Sequence, residues 1–193
     1  MKICFASNNN HKIRELNQMV WGMYTIVGLK ELGVEEDIIE TGETFEENSR
    51  IKAQYIFDRY SIPVFADDSG LCVDALNGEP GVYSARYAGP EKDVDNNIDL
   101  LLANLRGIEN RKAKFVSVIT LIKESGEEVQ FYGEIGGTIL EERQGSKGFG
   151  YDPIFQPFGY NKTFAEISSE EKNQLSHRAI AVKKFIDHLK SNE

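Results

Sequence analysis

The sequence predicts an α/β protein built around a mixed β-sheet, and two observations point to this class. In the first half, short apolar segments with the character of strands alternate with segments whose apolar residues recur at helical spacing. In the second half, two runs rich in β-branched and aromatic residues, 115–122 and 128–132, flank a Ser-Gly turn and predict a β-hairpin. Alternating strands and helices combined with a hairpin are typical of a mixed sheet with helices packed on it.

The first predicted elements are short. Residues 3–6 predict a strand, a polar turn follows at 7–11, and a second strand is expected at 24–29. Between the turn and the second strand, three apolar residues at helical spacing predict a helix: Ile13, Leu16 and Val20.

A longer helix is predicted to begin at a capping box, in which Thr44 and Glu47 satisfy free backbone donors. Asn48 and Lys52 are four residues apart and therefore share one face of this helix. The apolar residues on a different face are expected to be buried: Phe45, Ala53, Ile56 and Tyr60.

The later elements are predicted from similar patterns. A buried strand at 63–66 ends in an acidic turn at 67–70, and residues 71–73 are expected to return as a separate strand. A helix over 93–106 carries one apolar stripe and ends at Gly107. The last helix has an apolar side formed by five residues: Leu175, Ala179, Val182, Ile186 and Leu189.

Length and charge limit the possible functions. The 193 residues suffice for one large domain or two tightly joined lobes, and no repeat or Gly/Ser linker divides them, so 1–193 is expected to be a single domain. The net charge of −9 excludes nucleic acids as leading partners, because a polyanion needs a basic face. Small phosphorylated ligands remain open, since a helix N-terminus, a few local cations or a metal can hold them.

The chain shows no sign of membrane insertion or export. No apolar run approaches the roughly 20 residues that span a bilayer, and the apolar N-terminus is too short for a signal peptide. Cys4 and Cys72 both lie in apolar stretches, which favours reduced thiols and a cytoplasmic location.

Packing does not explain four polar clusters, of which the first two would suit phosphate and metal. Residues 7–12 read Ser-Asn-Asn-Asn-His-Lys, a turn that can aim backbone N–H groups at an anion while Lys12 adds positive charge. Asp67 and Asp68 suit a hard cation such as Mg²⁺, or a base that activates water. Ordinary polar turns have the same composition in both cases. Because adjacent strand side chains point to opposite faces, at most one of the two carboxylates should lead the chemistry.

The other two clusters would suit a flat ligand and an anion. Residues 148–153 read Gly-Phe-Gly-Tyr-Asp-Pro, so that the backbone can approach a ligand while a ring stacks on it; a loop anchored in the core is the alternative. In the fourth cluster, Ser176 can cap the last helix and place His177 and Arg178 in its first turn, where cations are unfavourable without an anion. Alternatively that helix begins at Ser168, which would leave Lys172 and His177 on the surface.

Taken together, these clusters resemble the inosine triphosphate pyrophosphatases, also called dITP/XTP pyrophosphatases. The resemblance runs along nearly the whole chain and rests on six motifs in order and spacing: residues 7–12, 40–48, 66–71, 80–87, 148–153 and 176–178. It implies hydrolysis of ITP, dITP and XTP to the monophosphate and pyrophosphate with Mg²⁺ as cofactor. It also implies an elongated mixed sheet flanked by helices, two lobes with a central active-site cleft, and a homodimer.

The resemblance also assigns roles to residues. Asp68 is expected to be the general base and a metal ligand, and Glu40 the second acidic metal ligand. Ser69 would touch the substrate beside Asp68. The triphosphate would be held by Lys52 and Lys172 together with the first turn: Ser7, Asn8, Asn9, Asn10, His11 and Lys12. The base would be framed by one loop and its 6-keto edge read by the last helix: Phe149, Gly150, Tyr151 and Asp152, then His177 and Arg178.

Two other functions are compatible with the same residues. One is a house-cleaning pyrophosphatase for modified pyrimidine triphosphates on a related fold. The other is a nucleotide-binding module without catalysis, which would bind ITP tightly and release no pyrophosphate. Substrate preference distinguishes the first alternative from a purine pyrophosphatase. Dependence of turnover on Asp68 distinguishes the second alternative from any enzyme.

Overall fold

A computed structural model describes residues 2–9, 12–13, 16, 25–34, 36 and 38–191. The strands are β1 (Lys2–Phe5), β2 (Thr25–Gly28), β3 (Val64–Val73), β4 (Lys112–Ile122), β5 (Glu128–Ile139) and β6 (Phe155–Pro157). Four α-helices have bounds within the described residues: α1 (Phe45–Tyr60), α2 (Val94–Asn104), α3 (Ser169–Leu175) and α4 (His177–Ser191). None of the described helices is long and apolar enough to cross a membrane.

The strands form one mixed sheet in the order β2-β1-β3-β4-β5-β6. Strand β1 pairs in parallel with both β2 and β3, whereas β5 pairs antiparallel with β6. Strands β4 and β5 are neighbours joined by a turn in which the Gly126 N–H donates to the Lys123 carbonyl. The predicted mixed sheet, flanking helices and hairpin are therefore confirmed.

The chain divides into two compact units. Unit 1 comprises Met1–Asp68, Ser117–Gly133 and Ala179–Glu193, and unit 2 comprises Ser69–Val116 and Glu134–Arg178. Strands β3, β4 and β5 each contribute residues to both units.

The core of unit 1 follows the alternation of side chains along its strands. Ile3 and Phe5 of β1 belong to an apolar cluster with Phe185 of α4. The intervening Cys4 belongs to a different cluster that contains Ile56 of α1. Since successive strand residues point to opposite faces, α4 and α1 cover the two faces of the sheet in this unit.

The core of unit 2 is built on α2 and a group of aromatic rings. Asp93 caps α2 by accepting the N–H of Asn96, and the buried face of the helix includes Ile98 and Leu101. Leu105, directly after the helix, is also buried. The same cluster contains Leu71 and three rings, those of Phe115, Phe155 and Phe164.

Several predicted elements need correction at their ends. Residues 12–13 and 16 are helical, as predicted, whereas Val20 and Tyr24 lie outside the described residues. Tyr60 was expected to be buried but is 37% exposed, because α1 ends there and its last turn extends beyond the core. The predicted last helix is two helices, with Ser176 between α3 and α4.

Candidate functional site

The polar turn after β1 lies in unit 1. The Ser7 hydroxyl accepts the Asn9 N–H at 3.2 Å, and the Asn9 side-chain oxygen accepts the Lys12 N–H at 3.2 Å. Asn9 thus caps the helical residues that follow. Ser7 and Asn8 are half-buried and Asn9 is exposed. Asn10 and His11, two of the predicted substrate-binding residues, lie outside the described residues.

The acidic motif is part of a continuous strand, so the prediction of a turn followed by a separate strand is wrong. Strand β3 runs unbroken from Val64 to Val73, with Asp67 and Asp68 near its middle and both buried. Its pairing with β1 covers only Val64 and Phe65. Asp and Gly favour turns locally, but strand pairing and burial override that preference here.

The two adjacent carboxylates meet different lysines. Asp67 Oδ2 lies 3.0 Å from Lys12 Nζ, and Asp68 Oδ1 lies 3.7 Å from Lys52 Nζ. Alternation along β3 explains this, since the side of Val64 and Ala66 packs with Ile56 of α1 and Asp68 continues that side. Because Lys52 is on α1, Asp68 is the carboxylate that faces it.

Helix α1 and the segment before it bring a third carboxylate to the same lysine. Lys52 Nζ donates to Glu40 Oε1 at 2.5 Å. The segment is held against the helix because the Gly42 N–H donates to Asn48 Oδ1 at 2.8 Å. A Cβ atom at Gly42 would lie only 2.6 Å from Glu47 Cβ, so glycine is needed for this approach. Asn48, fully buried, is a residue whose role the sequence analysis did not recognise.

The charged groups of this cluster change the pKa values of their neighbours. Burial raises the pKa of the Asp68 carboxyl above the ordinary Asp range, and the positive charges of Lys52 and Lys12 offset this only in part. Burial alone would lower the pKa of Lys52, but the surrounding carboxylates, Asp68 foremost, outweigh burial and raise it. Lys52 therefore stays charged, while Asp68 has the raised proton affinity that a general base needs.

The carboxylate oxygens of this cluster are suitable ligands for a magnesium ion. Glu40 and Asp68 converge on one ammonium group, Lys52 Nζ, and their oxygens are ligands that Mg²⁺ prefers. Among the described residues, no group of three or more His, Cys, Asp and Glu side chains could hold a metal ion. Two carboxylates with water and phosphate oxygens are nevertheless a usual magnesium environment, because Mg²⁺ rarely sits in an all-protein cage.

Unit 2 holds the residues predicted to frame the base, around a buried ion pair. Lys172 Nζ lies 2.7 Å from Asp152 Oδ2, which also accepts the Phe149 N–H at 2.8 Å. Gly148 has φ +76°, and a Cβ there would collide with Asp152 Oδ2. Lys172, which the resemblance assigns to the triphosphate, therefore pairs with one of the base-framing residues.

Aromatic rings surround this ion pair. Lys172 Nζ lies 4.7 Å from the centre of the Phe149 ring, and Arg178 Cζ lies 5.6 Å from it. The Tyr151 hydroxyl donates to the Ser84 carbonyl at 2.9 Å, and burial raises the pKa of Tyr151. Gly150, between the two aromatic residues, has φ +59°, which favours glycine.

The last two predicted site residues come from the start of α4. His177 is its first residue, and the side chains of His177 and Arg178 are both buried. An Arg178 guanidinium nitrogen lies 3.5 Å from the Ser69 hydroxyl. Ser168 caps α3 by accepting the Glu171 N–H, so both predicted helix starts exist. The alternative that left Lys172 and His177 on the surface is wrong, because both residues are buried.

The structure thus collects the described site residues into two groups. Unit 1 contains the acidic cluster with its lysines and the polar turn, and unit 2 contains the aromatic loop, Lys172, His177 and Arg178 together with Ser69. Asp67 was passed over in favour of Asp68, although its ion pair with Lys12 makes it part of the first group. The position of Asp67 beside Asp68 is the sequence signal that could have identified it as a site residue.

Comparisons with known proteins identify the family of this chain. The profile described as the Ham1 family matches residues 3–188. The chain belongs to the Ham1 family. It is 50% identical to a dITP/XTP pyrophosphatase of Flavobacterium johnsoniae over 98% of both chains, and 49% identical to one of Porphyromonas gingivalis over 97% of both.

Solved structures of Ham1 proteins have the same fold. The Staphylococcus aureus Ham1 protein superposes with a TM-score of 0.92 at 42% identity, covering 100% of both chains. A HAM1 protein from Coxiella burnetii gives a TM-score of 0.92 at 37% identity over 99% of both. The likeness therefore extends over the whole chain, including every segment that supplies a predicted site residue.

Proposed function

We propose that this chain is a nucleoside-triphosphate pyrophosphatase that hydrolyses ITP, dITP and XTP to the monophosphate and pyrophosphate. The observation that carries the proposal is the buried Asp68 carboxyl, with its raised pKa, in contact with the Lys52 ammonium. A buried acid beside a fixed cation suits the activation of water next to a phosphate. The relatives named dITP/XTP pyrophosphatases, up to 50% identical over almost the full length, supply the substrate class.

In this reaction water forms a bond to phosphorus as a phosphoanhydride bond breaks. Asp68 accepts the proton of the attacking water or orients it, and Lys52 and Lys12 bind phosphate oxygens. The leaving pyrophosphate carries the electron pair of the broken bond. Glu40 and Asp68 would hold Mg²⁺, which when bound neutralises the charge that develops on the phosphates.

Selection of the base is assigned to unit 2. A 6-keto purine offers an acceptor where a standard adenine offers an amino group, so the pocket needs donors at that edge. Arg178 carries only donors, and His177 can supply one. A donor facing an amino group leaves both unpaired, which typically costs about 1–3 kcal/mol for each buried group.

A pyrophosphate-release assay tests the proposal. Full-length protein is incubated with ITP, XTP, dUTP or ATP, each with and without Mg²⁺. We expect release from ITP and XTP that depends on Mg²⁺ and far exceeds release from ATP. Absence of release from ITP under both conditions would falsify the proposal, and preference for dUTP would assign the enzyme to modified pyrimidines. Tight ITP binding without release would indicate a binding module.

Four expectations about the protein in the cell accompany this function. We propose that it acts as a homodimer in the cytoplasm, with Mg²⁺ as its metal and without a nucleic-acid partner. Sedimentation equilibrium of the full-length protein tests the dimer directly, and a single species of monomer mass would contradict it.

A further inference from the structure

One aromatic residue outside the predicted site stacks on a residue that belongs to the site. Phe115 lies on β4, is buried, and stacks on the His177 ring with centroids 4.8 Å apart and planes 11° from parallel. Both residues belong to unit 2. Phe115 begins the run 115–122 that predicts the hairpin, but it belongs to none of the six motifs that carry the resemblance.

Phe115 is itself fixed by two further rings. It packs edge-on against Phe155 at 4.7 Å and stacks on Phe164 at 5.9 Å. Phe155 and Phe164 also contact each other, with centroids 5.2 Å apart. A ring held by two others has one orientation, because close-packed interiors allow few rotamers. The plane it presents to His177 is therefore fixed.

The plane of an imidazole decides where it can donate a hydrogen bond. Both ring nitrogens lie in that plane, and in neutral histidine one is a donor while the other is an acceptor. A ring free to tilt can carry its N–H out of line with the oxygen of a 6-keto purine, which weakens the hydrogen bond that distinguishes this purine from a 6-amino one. A ring held flat against Phe115 cannot change in this way without losing the stack.

We propose that Phe115 is a positioning residue for base selection, which holds the His177 ring in the orientation that favours a 6-keto purine. This inference rests on the proposed function, since it assumes that His177 contacts the base. It does not require Phe115 to touch the substrate.

The test compares two matched substitutions. Phe115→Leu removes the ring that stacks on His177. Phe131→Leu removes a ring that also contacts a histidine, His188, at 5.3 Å, but in unit 1, whereas the predicted base-framing residues all belong to unit 2. The readout is the ratio of kcat/KM for ITP to that for ATP. Partial unfolding lowers both rates equally and leaves this ratio unchanged.

We expect Phe115→Leu to reduce the ITP/ATP ratio by about tenfold, the size of one lost hydrogen-bond preference. Phe131→Leu should leave it within about twofold of the wild type. In a His177→Gln background the effect of Phe115→Leu should disappear, because residues that act through one another are not additive. If the Leu variant does not fold, Phe115→Met takes its place, because the unbranched, flexible Met side chain can fill the space without a ring.

Three results would overturn the inference: an unchanged ratio in the Phe115 variant, an equal fall in the Phe131 variant, or a full effect in the His177→Gln background. These results differ from failure of the proposed function, in which the wild type itself releases no pyrophosphate from ITP or does not prefer it to ATP.

Discussion

Two neighbouring residues of this protein have different roles because their side chains contact different partners. Asp67 and Asp68 share a peptide bond, yet one contacts Lys12 and the other Lys52. Only Asp68 lies on the side of β3 that meets α1 and, through Lys52, Glu40. A carboxylate in that position can combine metal binding with proton transfer, whereas Asp67 is suited to holding Lys12.

Substitution of the two acids should therefore have different effects. We expect Asp68→Asn to lower kcat for ITP by about 100-fold or more, because the amide cannot accept the proton. Asp67→Asn should mainly raise KM, since it removes the ion pair that helps to hold Lys12 in place. Steady-state kinetics of both variants decide the matter. A loss of kcat in Asp67→Asn as large as in Asp68→Asn would contradict the assignment of the base.

Gly148 is a position where the addition of a single Cβ atom should disturb the fold. We expect Gly148→Ala to destabilise the fold by more than the roughly 1–2 kcal/mol of a positive φ alone, because its Cβ would displace the Asp152 carboxylate from Lys172. Gly159→Ala is the control, since it has φ +82° and nothing within 4 Å of its Cβ. Urea unfolding measures both, and equal losses would show that the close approach to Asp152 carries no cost.

At the scale of elements, α1 is the part that organises the acidic cluster. Its N-terminus is fixed by Thr44, whose side chain accepts the Glu47 N–H. Ser49 and Thr120 of β4 share a buried hydrogen bond of 2.6 Å, which ties the helix to the sheet. Lys52, one turn beyond Asn48, is placed by these contacts.

The segment before α1 provides an element-scale test of Glu40. We expect Gly42→Ala to push this segment away from the helix, at a cost of about 1–3 kcal/mol, and to raise the Mg²⁺ concentration needed for half-maximal activity. Gly28→Ala is the matched control, because the nearest atom to its Cβ is 4.0 Å away. A destabilised Gly42→Ala enzyme with unchanged Mg²⁺ dependence would argue against Glu40 as a ligand.

At the scale of the whole molecule, the buried Asp68 links stability to pH. Its pKa is higher in the folded than in the unfolded state, so the folded protein binds the proton more tightly. The stability contributed by the protonated group is complete below the unfolded pKa and is lost as pH rises through the folded pKa. The ionised, functional form is therefore the less stable one, as is common for active-site acids.

Asp68→Asn should reveal this linkage. We expect the variant to equal the wild type in unfolding free energy at acid pH and to exceed it increasingly as pH rises through the raised pKa of Asp68. Urea unfolding of both proteins from acid pH to neutrality measures the difference. A variant that becomes less stable than the wild type as pH rises would show that the Lys52 ion pair outweighs the cost of burial.

Much of the fold was predictable because it depends on short stretches of sequence. The cap of Thr44, the hairpin around Gly126 and the helix after Asp93 each follow from residues within a few positions of one another. The grouping of Phe149, Tyr151 and Asp152 with Arg178 was predicted as well, through the resemblance and not through local physics. The stacking of Phe115 on His177 and the contact of Asn48 with Gly42 were not predicted, since an apolar strand residue and a polar helix residue carry no local signal of such contacts.

The sequence by itself determined the α/β class, the starts of α1 and α2 and the family to which the motifs belong. Only the tertiary structure decided that β3 passes unbroken through Asp67 and Asp68, and that Lys172 pairs with Asp152. The physical reason is the distance along the chain over which each interaction acts. Capping and alternation act over two to four residues, whereas strand pairing, burial and ion pairs depend on contacts between residues that are distant in the chain, such as Lys12 and Asp67.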